Sequence, residues 1–323
     1  MSKAIFIDAF GGPEQLRVGD YEPGNPGPGE ALIRQRVMGV NYSDVSNRRG
    51  QRVDAKLPLI VGREGVGTVE AVGARVETLR VGDRVAYTSL IGGYAERRLV
   101  PIDKLVALPA AIDDLHAMPL TMRGMTAHYL LNEIGAIGPG RTMLAYSAAG
   151  GVGAILCQWG RSLGATVIGC ASAPDKRDYA KGFCDFVAGY DPTELKSVVA
   201  AATDGQGVDV VFDAIGKDTF DLSLACLRRR GLLVSFGNAS GPIPPVDIQR
   251  LSVGSLSITR AALGDYTATR EELVWRANAV FDAYLAGRFK IDRVVTFPLE
   301  AAADAHRAIE SRATVGPVLL IAS

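Results

Sequence analysis

TMLAYSAAGGVG, residues Thr142 to Gly153, is the stretch that decides how the chain is read. An apolar run, Met143 to Tyr146, breaks into Ser147-Ala148-Ala149-Gly150-Gly151-Val152-Gly153. A helix-like segment follows, Ala154 to Leu163, then Gly164-Ala165 and a second strand, Thr166 to Cys170. Strand, glycine turn, helix and strand make the first half of a dinucleotide-binding βαβ unit. Turn glycines let the backbone come close to a pyrophosphate, whose charge meets the open N–H groups at the helix start. The pattern is a variant of G-x-G-x-x-G, with Ala148 in the first glycine place, then Gly150 and Gly153. Such a cluster also serves as a plain strand-to-helix turn, and the flanking strand and helix are what favour the nucleotide.

Cofactor choice is read about 20 residues beyond the first glycine position, at the end of the second strand. There the chain has Ala171-Ser172-Ala173-Pro174-Asp175-Lys176-Arg177. A free ribose 2′-hydroxyl usually meets an Asp or Glu at this point. Here a hydroxyl and two cations stand instead, which suit a 2′-phosphate that a carboxylate would repel. The alternative is a solvated first helical turn, and Asp175 tempers the charge. NADPH is therefore expected over NADH.

The length of 323 residues suits about two domains. Hydrophobic residues at 48% and charged ones at 22% describe an ordinary globular composition. Lys+Arg 35 balances Asp+Glu 35, so no basic surplus draws nucleic acid or an anionic membrane. The N-terminus begins at once with a strand-like run and lacks a signal-peptide apolar region, and no apolar run approaches the ~20 residues of a membrane span. Cys157, Cys170, Cys184 and Cys226 show no C-x-x-C spacing and read as small buried residues in a reducing cytoplasm.

Residues 1–120 are β-rich, with candidate strands Ala4 to Ala9, Glu30 to Val37, Gly65 to Val72, Arg84 to Thr88 and Ala95 to Pro101. Proline and glycine punctuate them, as in Pro23 to Gly29, and the spacing suggests a small barrel or sandwich. Gly39 to Gly50 gathers polar groups, in which Asn41 and Asp44 are candidates either for a site or for capping a short helix. Residues 121–265 change period: Thr121 to Ile134 has helical spacing, and the βαβ unit follows. The alternation continues with a strand Val208 to Asp213, a helix Asp218 to Leu227 and a strand Gly231 to Phe236. That indicates an open, doubly wound parallel sheet, whose ligands lie beyond the strands' C-terminal ends, where Ala214-Ile215-Gly216 and Gly237-Asn238 sit. Residues 266–323 hold a helix Arg270 to Ala286, a strand Val294 to Pro298, a helix Leu299 to Ser311 and a strand Val318 to Ile321. The stretch 291–323 resembles the opening region more than the middle one.

At these residues the sequence resembles the medium-chain dehydrogenase/reductase superfamily, closest to its zinc-free NADPH:quinone oxidoreductase (zeta-crystallin-like) branch. The carriers are Phe10 to Glu14, Gly39 to Asp44 with Arg48 and Gly50, Gly62 to Gly67, and Val81 to Val85. Ala148 to Gly153, Ser235 to Gly241 and Glu310 to Thr314 continue the likeness through almost the whole chain, in order. The resemblance implies an α/β protein with a GroES-like β-barrel catalytic domain, split around an inserted Rossmann domain, and a homodimer. By position in the motifs it implies Asn41, Tyr42, Asp44 and Asn238 at the reaction centre and Thr126 by the nicotinamide ribose. It further implies Ala149, Gly150, Gly151 and Val152 at the pyrophosphate, Ser172, Lys176, Tyr190 and Arg312 around the 2′-phosphate, and Phe236 and Gly237 along the nicotinamide.

Zinc alcohol dehydrogenases of the superfamily carry a Gly-His-Glu ligand motif, where this chain has Gly62-Arg63-Glu64, and no Cys occurs before Cys157. His116, His128 and His306 are scattered and read as surface or packing residues. No three-ligand catalytic zinc site is expected. The family's pocket-shaping aromatics are replaced by Ser46 and Arg52, which points to a more polar or anionic acceptor unless Arg52 faces solvent. The expected activity is metal-free hydride transfer from NADPH to a quinone. An enone, enal or enoyl-thioester reductase would use the same machinery. The rival of another class is a non-catalytic nucleotide- or RNA-binding or structural protein, against which the balanced charge argues.

Overall fold

The computed structural model describes residues 1–51 and 56–322. Its first stretch runs β1 (Ser2–Ile7), β2 (Arg17–Tyr21), β3 (Glu30–Val40), α1 (Tyr42–Arg48), β4 (Leu59–Ile60), β5 (Gly65–Val72), β6 (Arg84–Tyr87), β7 (Arg97–Pro101), β8 (Val106–Ala107) and α2 (Asp114–Pro119). Then come α3 (Met125–Tyr129), β9 (Thr142–Tyr146), α4 (Gly151–Ser162), β10 (Thr166–Cys170), α5 (Pro174–Ala180), β11 (Phe186–Ala188), α6 (Pro192–Ala202), β12 (Val208–Asp213), α7 (Phe220–Cys226), β13 (Leu227–Ser235) and β14 (Ser257–Arg260). α8 (Arg270–Leu285), β15 (Val295–Pro298), α9 (Ala302–Glu310) and β16 (Val318–Ile321) close the chain. Two units result: Met1–Met122 with Thr267–Phe281 and Ile291–Ser323, and Arg123–Tyr266 with Asp282–Lys290.

The first unit is built on β3. From Ile33 to Val37 alternate residues enter the core, as half-buried antiparallel strands require. β5 pairs one edge of β3 over Ala31 to Met38, and the other edge is shared by β7 at Glu30 to Arg34 and β16 at Val37 to Val40. The last strand thus pairs with β3 in the sheet that the N-terminal stretch begins. Ile5, Ile7, Met38, Val40, Tyr94, Leu299, Ala302, Ala305, Val318 and Leu320 form one core across that join. α9 lies on it through Ala302 and Ala305.

The second unit is a six-stranded parallel sheet in the order β11-β10-β9-β12-β13-β14. β9, β10 and β12 are buried almost throughout, so their apolar runs are continuous rather than alternating. Strand order reverses between β9 and β12, which makes the C-terminal end of β9 the topological switch point. All four cysteines are free and buried in this unit, as their spacing predicts.

Several boundaries differ from the sequence reading. β2 escapes it because Gly19 and Asp20 are poor strand formers, and its exposed residues give no alternation. The helical spacing at Thr121 to Ile134 is not one α-helix: α3 is flanked by π-helical turns at Leu120–Gly124 and Leu130–Ile134. Pro119, at the end of α2, lacks the N–H that would continue the ordinary ladder. α4 starts at Gly151, ahead of the apolar run that reveals it.

Candidate active site

In the second unit most of the predicted nucleotide residues follow the C-terminal ends of β9, β10, β11 and β13, with Lys176 on α5 and Thr126 on α3. Ser147, directly after β9, takes a left-handed φ of 55°, and its carbonyl accepts the Gly150 N–H at 2.8 Å. Gly150 is the extended N-cap of α4, with no side-chain cap and no acidic residue in the first turn. The N–H groups of Gly151 and Val152 therefore open a twelve-residue helix with the positive end of its dipole uncovered. A Cβ on Gly153 would lie 2.0 Å from the Ser147 carbonyl oxygen, so only glycine lets the helix start this close to the strand end. The turn fits a dinucleotide pyrophosphate, in backbone room and in charge.

Ser172 is exposed just beyond β10, Lys176 lies on α5, and Tyr190 follows β11. The Tyr190 hydroxyl is 3.5 Å from Ser147 Oγ, and its ring meets that of Tyr146 edge-on at 5.7 Å. Arg177 is engaged by Glu194 at 3.5 Å. This donor set fits a phosphate on the ribose. Phe236, Gly237 and Asn238 leave β13 in a loop laced to the end of β12: Phe236 N–H donates to the Asp213 carbonyl at 2.9 Å. A Cβ on Gly237 would stand 2.4 Å from the Ala214 carbonyl. Thr126 is buried on α3.

The sequence reading missed Asp213. Its buried carboxylate takes the N–H groups of Ile215 and Gly216 at 2.7 and 3.0 Å and the hydroxyls of Thr219 and Ser223 at 2.8 and 3.0 Å. An acidic residue closing the apolar run Val210 to Phe212 was the available signal.

In the first unit, Asn41 and Asp44 are joined. Asn41 is the N-cap of α1, and its backbone N–H donates to Asp44 Oδ2 at 2.9 Å. The capping and the site readings of this pair are therefore compatible. Asn41 Nδ2 donates to Glu64 Oε1 at 2.8 Å, while Glu64 Oε2 accepts from the Thr121 hydroxyl at 2.8 Å and the Met122 N–H at 3.2 Å. Burial drives the Asp44 carboxyl up to about 7; the Asn41 N–H works against that shift, nearby Glu64 adds to it, and Tyr94 and Arg63 oppose it. Tyr42 donates its hydroxyl to the Ile309 carbonyl at 2.7 Å; burial raises its pKa, with Arg312 opposing. Arg312 stands in a left-handed conformation after α9. Arg52 lies outside the described residues.

Glu64, Tyr94, Arg48 and His306 were not foreseen as parts of this cluster. His306 was read as a surface or packing residue. It is fully buried, on the face of α9 that carries Ala302 and Ala305. That i, i+4 placement beside Ala302 was the signal in the sequence.

Two family profiles match the chain: "Alcohol dehydrogenase GroES-like domain" over residues 27–110 and "Zinc-binding dehydrogenase" over residues 151–278. Over 325 residues the chain is 42% identical to a quinone oxidoreductase of Pseudomonas aeruginosa, covering 99% of this chain and 100% of the relative. It is 40% identical over 331 residues to a 2-haloacrylate reductase of a Burkholderia species, covering 99% of each. Among solved structures, Escherichia coli quinone oxidoreductase complexed with NADPH superposes with a TM-score of 0.95 at 38% identity, covering 99% of both chains. One of these profiles names zinc. Among the described residues no group of three or more His, Cys, Asp or Glu could hold a metal ion. Arg63 presents a guanidinium, which only donates, and the Glu64 carboxylate is taken by Asn41, Thr121 and Met122. The residues present do not fit a zinc ion.

Proposed function

The chain belongs to the medium-chain dehydrogenase/reductase superfamily, in its zinc-independent quinone oxidoreductase branch, and from that membership we propose that it is an NADPH:quinone oxidoreductase. The observation that carries this is the uncapped, glycine-lined start of α4, in a chain that matches an NADPH-bound quinone oxidoreductase along its whole length. When bound, NADPH supplies a hydride, and with one proton from water this reduces the conjugated carbonyl system by two electrons. The N–H groups of Gly151 and Val152, with Ala149 and Gly150 beside them, hold the pyrophosphate. Ser172, Lys176 and Tyr190 take the 2′-phosphate, Thr126 the ribose, and Phe236, Gly237 and Asn238 the nicotinamide. In the first unit Arg312 offers a cation to phosphate oxygens, Tyr42 steadies the start of α1, and Asn41 orients the acceptor. Glu64 holds one Nδ2 proton of Asn41, which fixes the amide plane and leaves the other to donate.

NADPH oxidation, followed by its near-ultraviolet absorbance against quinones, enones and haloacrylates with NADH in parallel, tests this reading. Quinone-dependent loss of NADPH supports it. Turnover with the alkenes alone would move the reading to C=C reduction, which the likeness to 2-haloacrylate reductase favours as the second candidate. Silence with every acceptor would leave only nucleotide binding. Lys176→Ala is expected to weaken NADPH about tenfold or more, the loss of one charge-assisted hydrogen bond, and to leave NADH nearly unchanged. Equal losses for the two cofactors would remove Lys176 from the phosphate.

The protein is proposed to act as a homodimer. Among the described residues β14 pairs only with β13, at the end of the sheet, and Ile248 and Val253 are exposed at 72% and 79% in the segment leading to it. Light scattering at the exit of a sizing column checks this, and a monomeric mass would end the proposal. Four free, buried thiols suit the reducing cytoplasm.

A further inference from the structure

A chain of buried polar groups runs through the first unit from its surface to the foot of Asn41. Glu310 receives Arg48 Nη1 and Nη2 at 3.0 and 2.8 Å. Arg48 Nη1 is also 3.1 Å from His306 Nδ1, His306 Nε2 is 3.1 Å from the Tyr94 hydroxyl, and that hydroxyl is 3.0 Å from Asp44 Oδ2. Arg48, His306, Tyr94 and Asp44 are each 0% exposed.

The direction of every bond follows from the donor chemistry. A guanidinium only donates, so His306 Nδ1 must accept and the ring proton sits on Nε2. Nε2–H then donates to the Tyr94 oxygen, which leaves the Tyr94 proton for Asp44. Burial, with Arg48 adding to it against Glu310, drives the imidazole down to about 3, so it is neutral as this scheme requires. The rings of Tyr94 and His306 meet edge-on, 5.7 Å apart at 88°. The chain is no proton wire, because it ends on a guanidinium that does not release a proton. It acts on geometry. Asp44 Oδ2 has two donors, Tyr94 and the Asn41 N–H, while Oδ1 has no hydrogen-bond partner among the described residues.

We propose that Tyr94 and His306 are positioning residues of the reductase, which through Asp44 fix the start of α1 and with it the Asn41 that orients the acceptor. Its kinetic consequence rests on the reading of the function above. The charged and titratable groups facing Asp44 are Glu64 and Arg63 from the segment before β5 and Tyr94 from the segment before β7. Behind Tyr94 stand His306 and Glu310 on α9, with Arg48 on α1 itself. Ionised Asp44 holds the Asn41 N–H more strongly than the neutral acid does. Turnover therefore rises with pH along an acid limb set by Asp44.

Tyr94→Phe keeps the ring and removes only the hydroxyl. It is expected to lower kcat about tenfold, leave the NADPH Kd within about twofold, and move the acid limb up by about one pH unit, since ionised Asp44 loses a donor. A second readout needs no substrate. The raised carboxyl of Asp44 stabilises the fold most below its unfolded value, and this is lost as pH rises through the folded one. Raising that value further makes the melting-temperature gap between wild type and Tyr94→Phe widen from pH 5 to pH 9. A constant gap together with an unmoved limb would overturn the proposal. If wild type reduces no quinone, the functional reading falls, and the melting gap alone still decides the chain. Should Tyr94→Phe fail to fold, His306→Asn keeps an acceptor near the Nδ1 place for Arg48 but is too short to put a donor where Nε2 meets Tyr94. The same shifts, smaller, are expected from it, and their absence counts against the proposal equally.

Discussion

Gly153→Ala is expected to weaken NADPH binding on the order of a hundredfold, with the sheet it adjoins still folded. The added Cβ would sit 2.0 Å from the Ser147 carbonyl oxygen, 2.7 Å from its carbon and 3.0 Å from the Ala148 Cα. All three are backbone atoms, so no side chain can swing away. Either α4 slides outward or the turn after β9 opens, and both moves spread the N–H groups of Gly151 and Val152. Overpacking of this kind costs about 3 kcal/mol, which is about two decades of affinity if the turn absorbs it. Gly150→Ala is the control. Its Cβ would come no closer than 3.1 Å to the Ser147 oxygen, and Gly150 already has an extended backbone that alanine adopts freely. Its melting temperature should be near wild type, so that any loss of NADPH by this variant reports the methyl against the ligand itself. Fluorescence titration of both variants with NADPH, beside a thermal melt, separates the cases. Wild-type affinity in Gly153→Ala would show that the α4 turn does not carry the pyrophosphate.

The nucleotide half of the molecule was largely legible because its signals are local. A parallel strand buried on both faces reads as an unbroken apolar run, and β9 and β10 announce themselves so; the glycines between them have a backbone reason that spacing exposes. β16 was recognisable as a strand, and its kinship with the opening region could be sensed. Its partner could not be, since the pairing of Val318 with Val40 joins residues at opposite ends of the chain. The same separation hid the polar cluster of the first unit. Arg48, Tyr94 and His306 are unremarkable where each stands in the sequence, and only the packing of α9 against α1 and the β1 side of the core brings them together. Asp44 could be named as a cap or as a site residue. Its raised carboxyl could not, because burial, the first cause of that shift, is a property of the fold.

Glu64→Leu should lower both stability and turnover, and Gly39→Ala should do the same with the carboxylate still present. Leucine leaves the Asn41 Nδ2 and the Met122 N–H without their acceptor, whereas Thr121 can turn its proton to the Met118 carbonyl at 2.8 Å. Two lost bonds to a buried charge amount to about 3–5 kcal/mol, a fall of about 10 °C in Tm for a unit of this size. Gly39 lies against the carboxylate: a Cβ there would stand 1.8 Å from Glu64 Oε1 and 2.5 Å from its Cδ. Alanine at this place must therefore expel the side chain that orients Asn41. Glu64→Gln is the milder and more telling change. It keeps the volume and an oxygen for Asn41, but it removes a negative charge that helps to hold Asp44 up. The acid limb of kcat should then move to lower pH, the opposite of the shift expected for Tyr94→Phe. Both limbs moving together would mean that Asp44 does not set them. Opposite movement from two residues on different sides of one carboxyl is hard to obtain from loosened packing alone, because loosening has no reason to respect the sign of a charge.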